Sequence, residues 1–118
     1  MLPQIELSPF LQRDDIVEMC EANHIAIEAY SPLCKAARLQ DPRITMLASQ
    51  HKCSPAQVLL TWALQRGFIV LPKTTRAERM VENMGALSAD VSLTDEEMAI
   101  MSRCSAFVAP FVLPMCLL

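Results

Sequence analysis

The chain lacks a strong charge of either sign. Its 118 residues include 10 lysines and arginines against 13 aspartates and glutamates, a formal net charge of −3. Proteins that bind nucleic acid or an anionic membrane usually carry a basic excess. The sequence therefore predicts neither partner, and any cation that binds a ligand must act locally.

Disulfide and metal patterns are missing as well. The five cysteines are odd in number, have no Cys-x-x-Cys spacing and follow no secretory signal. We expect reduced, mostly buried thiols in a cytoplasmic protein. His24 and His51 have no partners at ligand spacing, so we predict neither a metal site nor a catalytic histidine.

No apolar run is long enough to cross a bilayer. Residues 106–118 are nearly all apolar, but Pro110 and Pro114 interrupt them, and a spanning helix needs ~20 apolar residues. We interpret 106–118 as a tail of unknown role. Apolar residues make up 53% of the chain, and its length suits a single core, so residues 1–105 are predicted to form one domain or part of one.

The stretch from Cys53 to Asn83 carries the strongest local signals. Ser54 can cap a helix that begins at Pro55, with Gln57 placed to close a capping box. Gly67 is a stop signal, and the apolar run 68–71 predicts a strand buried on both faces.

A second helix is predicted directly after that strand. Thr75 and Glu78 have the spacing of another capping box. The free N–H groups of a helix start, together with the ammonium of Lys73, would attract an anion such as a phosphate.

The whole chain has the alternation of an α/β fold. Each of three predicted strands is followed by a proline turn and a helical segment, and the connections are long enough for parallel crossovers. Asp41 and the pair Thr94 and Glu97 mark two further helix starts. The predicted strands cover 4–7, 25–30 and 68–71.

These motifs, in this order, resemble the aldo-keto reductases. The likeness covers roughly Gln4 to Cys104, and it rests on the segments Gln4-Ile5-Glu6, Leu11-Gln12, Ala29-Tyr30-Ser31-Pro32-Leu33, Ser54-Pro55-Ala56-Gln57-Val58, Pro72-Lys73-Thr74, Arg79 and Glu82-Asn83. The resemblance implies the last three βα units of a (β/α)₈ TIM barrel, so the barrel is incomplete in this chain. Such a segment alone would expose two sheet edges and an apolar inner face, which predicts self-association unless another segment covers them.

The resemblance implies a binding site for NADPH or NADP⁺. Tyr30 matches the residue that stacks on the nicotinamide, Ser31 and Leu33 lie near the pyrophosphate, and Gln4 holds the carboxamide. Periodicity alone favours the simpler interpretation of Tyr30 as a strand-end residue that only packs, and the motif favours stacking. Two positions depart from the family pattern, with Ser8 in place of a common histidine and Cys34 in place of glycine.

The resemblance assigns the adenosine end to the segment after the third strand. Lys73, Thr74 and Arg79 match the pocket for the 2′-phosphate, which favours NADPH over NADH, and arginine and lysine suit a phosphate monoester chemically. Glu82 and Asn83 match the pair that contacts adenine. Without the resemblance, these residues would equally suit a solvated helix face.

The implied reaction is the NADPH-dependent reduction of aldehydes or ketones to alcohols. In the family, a tyrosine assisted by lysine, histidine and aspartate protonates the carbonyl oxygen, and those four residues belong to the first half of the barrel. We therefore expect no catalytic residue in this chain, and a small carbonyl substrate only if the barrel is completed. The alternatives are a non-catalytic nucleotide-binding or interaction module and a truncated product without function.

Overall fold

The computed structural model describes residues 2–87 and 91–105, which form an α/β unit with a three-stranded sheet. The predicted role of residues 106–118, and Cys116 with it, lies outside the described residues. In chain order the elements are β1 (Gln4–Glu6), α1 (Asp14–Ala22), β2 (Glu28–Tyr30), a 3₁₀ turn (Cys34–Ala36), α2 (Pro42–His51), α3 (Pro55–Gln65), β3 (Ile69–Leu71), α4 (Ala77–Gly85) and α5 (Asp95–Ser102).

The sheet is parallel, with β2 between β1 and β3. Glu6, Tyr30 and Leu71 lie side by side at the carboxyl ends of the three strands. Because the strands are parallel, the loops that follow them all leave from the same edge of the sheet. The prediction of an α/β fold with parallel crossovers is confirmed.

Local capping explains where three of the helices begin. Asp41 accepts a hydrogen bond from the backbone N–H of Arg43 at the start of α2. Complete capping boxes open α3, through Ser54 and Gln57, and α5, through Thr94 and Glu97. These starts agree with the sequence predictions because a cap depends only on residues within one turn.

The start of α4 differs from the prediction. Arg76 is its N-cap and has no side-chain cap hydrogen bond. Thr74 accepts the backbone N–H of Arg76 at 3.1 Å, which forms a turn ahead of the helix. The predicted capping box of Thr75 and Glu78 is therefore wrong, because α4 begins one residue later, with Arg76 as its N-cap.

The core lies between one face of the sheet and the helices. Ile5, Ala29 and Val70 share that face, and they pack against a cluster that includes Val58 and Trp62, both fully buried. Trp62 meets Phe68 edge to face with ring centroids 6.1 Å apart.

The opposite face of the sheet is open within the described chain. Ile69 is 43% exposed and Leu71 38% exposed, so the prediction that this strand is buried on both faces is wrong for this chain. Gln4, Glu28 and Tyr30 lie on the same face by register. The predicted inner face is therefore only partly apolar, since β1 and β2 contribute polar side chains to it.

Candidate functional site

A groove of about 540 Å³ opens at the carboxyl edge of the sheet, between the loop after β2 and the segment that joins β3 to α4. In α/β folds with parallel strands, ligands bind at this edge. Seven of the nine predicted cofactor residues line the groove: Ser31, Leu33, Lys73, Thr74, Arg79, Glu82 and Asn83. Thus Ser31 and Leu33 line the same cavity as the group that begins at Lys73, some 40 residues further along the sequence.

The wall from β2 is a tight loop with unusual backbone geometry. Ser31, Cys34 and Ala36 have φ values of 49°, 46° and 68°. Each such conformation costs a non-glycine residue roughly 1–2 kcal/mol, and such residues cluster at functional sites. Ser31 and Leu33 of this loop both lie in the lining of the groove.

Ser8 and Cys34, the two residues that depart from the family pattern, contact each other beneath this loop. The thiol of Cys34 donates to Ser8 Oγ at 3.1 Å, and both residues are fully buried. Ser8 Oγ also accepts the backbone N–H of Phe10. A small residue at position 8 leaves room for the Cys34 side chain, so the two positions are compatible as a pair.

The other wall carries the cations. Lys73 and Arg79 are exposed, while Thr74 is half-buried with its hydroxyl held by Arg76 N–H. Lys73 and Thr74 follow β3 directly, and Arg79 lies in the first turn of α4. Two accessible cations and a hydroxyl at one end of a cavity suit a phosphate monoester.

Glu82 and Asn83 lie about one turn further along α4, and α3 holds them in place. The side-chain amide of Gln57 donates to the backbone carbonyl of Glu82 at 2.9 Å. The groove floor nearby is Ala56, the residue before Gln57, which is buried. The start of α3 therefore supports the wall that α4 forms.

Gln4 and Tyr30 do not line the groove. Both lie on the open face of the sheet, Tyr30 at the carboxyl end of β2 and Gln4 at the start of β1. Tyr30 is 39% exposed, so its ring is accessible. Tyr30 directly precedes Ser31, which lines the groove.

Sequence reasoning missed a pairing of His51 with Glu97. His51 Nε2 lies 2.9 Å from both carboxylate oxygens, which joins the end of α2 to the start of α5. Burial raises the pKa of Glu97, but hydrogen bonds from Thr94 and His51 outweigh it and leave the pKa below its ordinary value. No local signal could have revealed this contact, because the two residues are 46 positions apart.

Burial keeps two thiols of the described chain in their protonated form. Cys20, Cys53 and Cys104 are free thiols, and burial raises the pKa of Cys53 and Cys104. Among residues 2–87 and 91–105, no cluster of histidine, cysteine, aspartate or glutamate could hold a metal ion. No helix in the described ranges has the length and apolar character needed to cross a membrane.

Fold and groove together define a parallel α/β unit with a candidate ligand site at the carboxyl edge of its sheet. A sequence model of the Aldo/keto reductase family matches residues 34–106. The chain belongs to this family, which confirms the resemblance found in its motifs.

Named relatives extend the match over most of the chain. An aldo/keto reductase of Synechocystis, slr0942, is 42% identical over 81% of this chain and 32% of its own length. Methylglyoxal reductase DkgB of Yersinia pestis is 38% identical over 84% of this chain and 36% of its own. The chain thus spans about a third of the curated relatives that it matches.

Solved structures agree with the fold. A variant of Gox0644 in complex with NADPH is 35% identical, with a TM-score of 0.83, over 88% of this chain and 38% of that one. Aldose reductase of Schistosoma japonicum is 33% identical, with a TM-score of 0.83, over 98% of this chain and 37% of that one. The described sheet and helices therefore have the arrangement found in a part of these larger enzymes.

Proposed function

We propose that this chain is the C-terminal portion of an NADPH-dependent aldo-keto reductase, and that residues 1–105 supply the sixth to eighth βα units of its (β/α)₈ barrel. The complete enzyme reduces aldehydes and ketones to alcohols. The observation that carries the proposal is the groove of about 540 Å³, in which seven residues that match the family's cofactor motifs meet.

The adenosine half of NADPH occupies the groove in this proposal. Lys73 and Arg79 bind the 2′-phosphate with help from the Thr74 hydroxyl, and their positive charges favour NADPH over NADH. Glu82 and Asn83 contact the adenine. Both are half-buried and near the cations, which suits a base that lies beside its ribose phosphate.

The nicotinamide half extends from the groove onto the open face of the sheet. Ser31 and Leu33 face the pyrophosphate, Tyr30 stacks on the nicotinamide ring, and Gln4 binds its carboxamide. Support comes from the continuity of Tyr30 with Ser31 and from the exposure of the Tyr30 ring. A flat, accessible aromatic ring is a suitable surface for a planar heterocycle.

The residues of this chain bind and orient, and they do not protonate the substrate. The nicotinamide supplies a hydride to the carbonyl carbon, and the oxygen then needs a proton donor. Tyr30 is the only tyrosine in the sequence, and in this proposal it is occupied by stacking. The resemblance to the family implies that the acid and its three assisting residues belong to the part of the barrel formed by the preceding units.

Reconstitution tests this function. The chain should bind NADPH alone but oxidise none when aldehydes and ketones are added. Joined to a segment that supplies the five preceding βα units of a family member, it should show carbonyl-dependent NADPH oxidation at 340 nm, roughly the absorbance band of the reduced nicotinamide. The matched control is the same fusion with Arg79→Ala. Absence of turnover across varied aldehydes and ketones by a folded fusion would contradict the proposal.

A second candidate is a non-catalytic nucleotide-binding module. It is favoured by one observation, that this chain forms the groove from its own residues. Under this candidate, NADPH binds to the chain, but completion of the barrel adds no turnover. A product that neither folds nor binds NADPH would instead fit the third alternative, a truncated product without function.

A further inference from the structure

Gln57 makes three hydrogen bonds, two that close the capping box of α3 and one that joins α3 to α4. Its backbone N–H donates to Ser54 Oγ at 3.2 Å, and its side-chain oxygen accepts the Ser54 backbone N–H at 3.0 Å. The other end of the same side chain, Nε2, donates to the carbonyl of Glu82 at 2.9 Å. A residue with only an acceptor, such as glutamate, could close the capping box equally well but could not donate to α4.

Helix α4 buries little of its own surface. None of its nine residues is buried, and Met80, Val81 and Met84 are more than half exposed. Buried apolar contacts normally hold a helix in place. A hydrogen bond from α3 to the Glu82 carbonyl therefore helps to fix the position of α4.

Gly85 leaves the space that this contact needs. A Cβ at position 85 would collide with Gln57 Nε2, the atom that donates to Glu82. The side chain is flexible enough to move away, but it would then lose the hydrogen bond. Glycine is otherwise unfavourable at a helical position, so the close approach of Gln57 gives its presence a physical reason.

We propose that Gln57, with the space left by Gly85, is a positioning residue for the adenosine half of the groove. By holding α4 against α3, it places Arg79, Glu82 and Asn83 at the correct distance from Lys73. Its own side chain need not touch the nucleotide. This inference rests on the proposed function, because it concerns how well the same groove binds an adenosine phosphate.

Three variants of the 118-residue chain separate the two roles of Gln57. Gln57→Glu keeps the capping acceptor and removes the donor to Glu82. Gly85→Ala displaces the amide without adding charge, and it raises intrinsic helix propensity. Ser54→Ala is the matched control, since it removes the cap hydroxyl and leaves the amide free to donate.

The measurement is calorimetric affinity for adenosine 2′,5′-bisphosphate, paired with hydrogen exchange of the α4 amides without ligand. We expect Gln57→Glu and Gly85→Ala to bind roughly three- to tenfold more weakly, the usual range for loss of a hydrogen bond, and to exchange faster in α4. Ser54→Ala should retain affinity and α4 protection even if it melts at a lower temperature.

The outcomes distinguish this inference from the proposed function. If the wild-type chain binds the bisphosphate and both Gln57→Glu and Gly85→Ala bind equally well, Gln57 is not a positioning residue and the proposed function stands. Equal loss of affinity in Ser54→Ala also overturns the inference, because the cap would then suffice to explain the effect. Lack of binding by the folded wild-type chain overturns the proposed function, and it excludes a role for Gln57 in binding as well.

Discussion

Removal of the Arg79 guanidinium should weaken NADPH binding far more than NADH binding. Arg79 lines the groove and is exposed, with Lys73 on the same wall. A hydrogen bond to a charged group contributes about 1.5–3 kcal/mol, and solvent screening at an exposed site favours the low end. About 1.5 kcal/mol corresponds to a tenfold change in Kd, so Arg79→Ala should raise the Kd for NADPH about tenfold.

The assay is isothermal titration of the chain with each cofactor. NADH lacks the 2′-phosphate, so its Kd should change less than about twofold. Arg76→Ala is the control, because it removes an equal charge from an exposed arginine that does not line the groove. Equal losses for NADPH and NADH, or an equal effect of Arg76→Ala, would refute a specific contact between Arg79 and the 2′-phosphate.

Three further predictions concern stability and association. Because the effect of burial is outweighed by hydrogen bonds from Thr94 and His51, which hold the pKa of Glu97 below its ordinary 4.5 in the folded chain, the stabilisation from its ionised form is present above that value and is lost as the pH falls through the folded pKa. Glu97→Gln, which can still cap α5, should therefore lower the urea midpoint at pH 7, and this deficit should shrink as the pH falls below 4.5; a deficit that does not change with pH would exclude a role for the ionised carboxylate. Ser8→Ala and Cys34→Ala should be non-additive in unfolding free energy by at least about 0.5 kcal/mol, the low end of the range for contacting residues, and strict additivity would contradict their contact. Ile69→Lys, on the open face of the edge strand β3, should reduce the self-association of the chain measured by sedimentation velocity. A wild-type chain that is already monomeric would contradict association through this edge.

Short-range signals gave the best predictions of the fold. The capping boxes at Ser54 and Thr94 and the cap at Asp41 depend on residues within one helical turn, and all three are present. The predicted start of α4 was wrong because two threonines precede this helix. Thr74 forms the turn, whereas the spacing of Thr75 and Glu78 favoured a cap that the chain does not use.

Long-range relations were beyond local reasoning. Burial of β3 was overestimated because an apolar run does not reveal whether a covering layer is present in the same chain, and Ile69 and Leu71 remain exposed. The contacts of Ser8 with Cys34 and of Gln57 with Glu82 join segments that are about 25 residues apart. By contrast, residues on both walls of the groove belong to the segments that carry the family motifs, because each motif is local in the sequence.

The central claim is that this chain forms the adenosine and pyrophosphate part of an NADPH site from its own residues. The most direct test is a titration of the isotopically labelled chain with NADPH, followed residue by residue through amide chemical shifts. We predict saturable shifts concentrated at Ser31, Leu33, Thr74, Arg79 and Asn83, with the α1 amides unchanged. A folded chain that shows no saturable shifts, or shifts that avoid the groove, would contradict the claim.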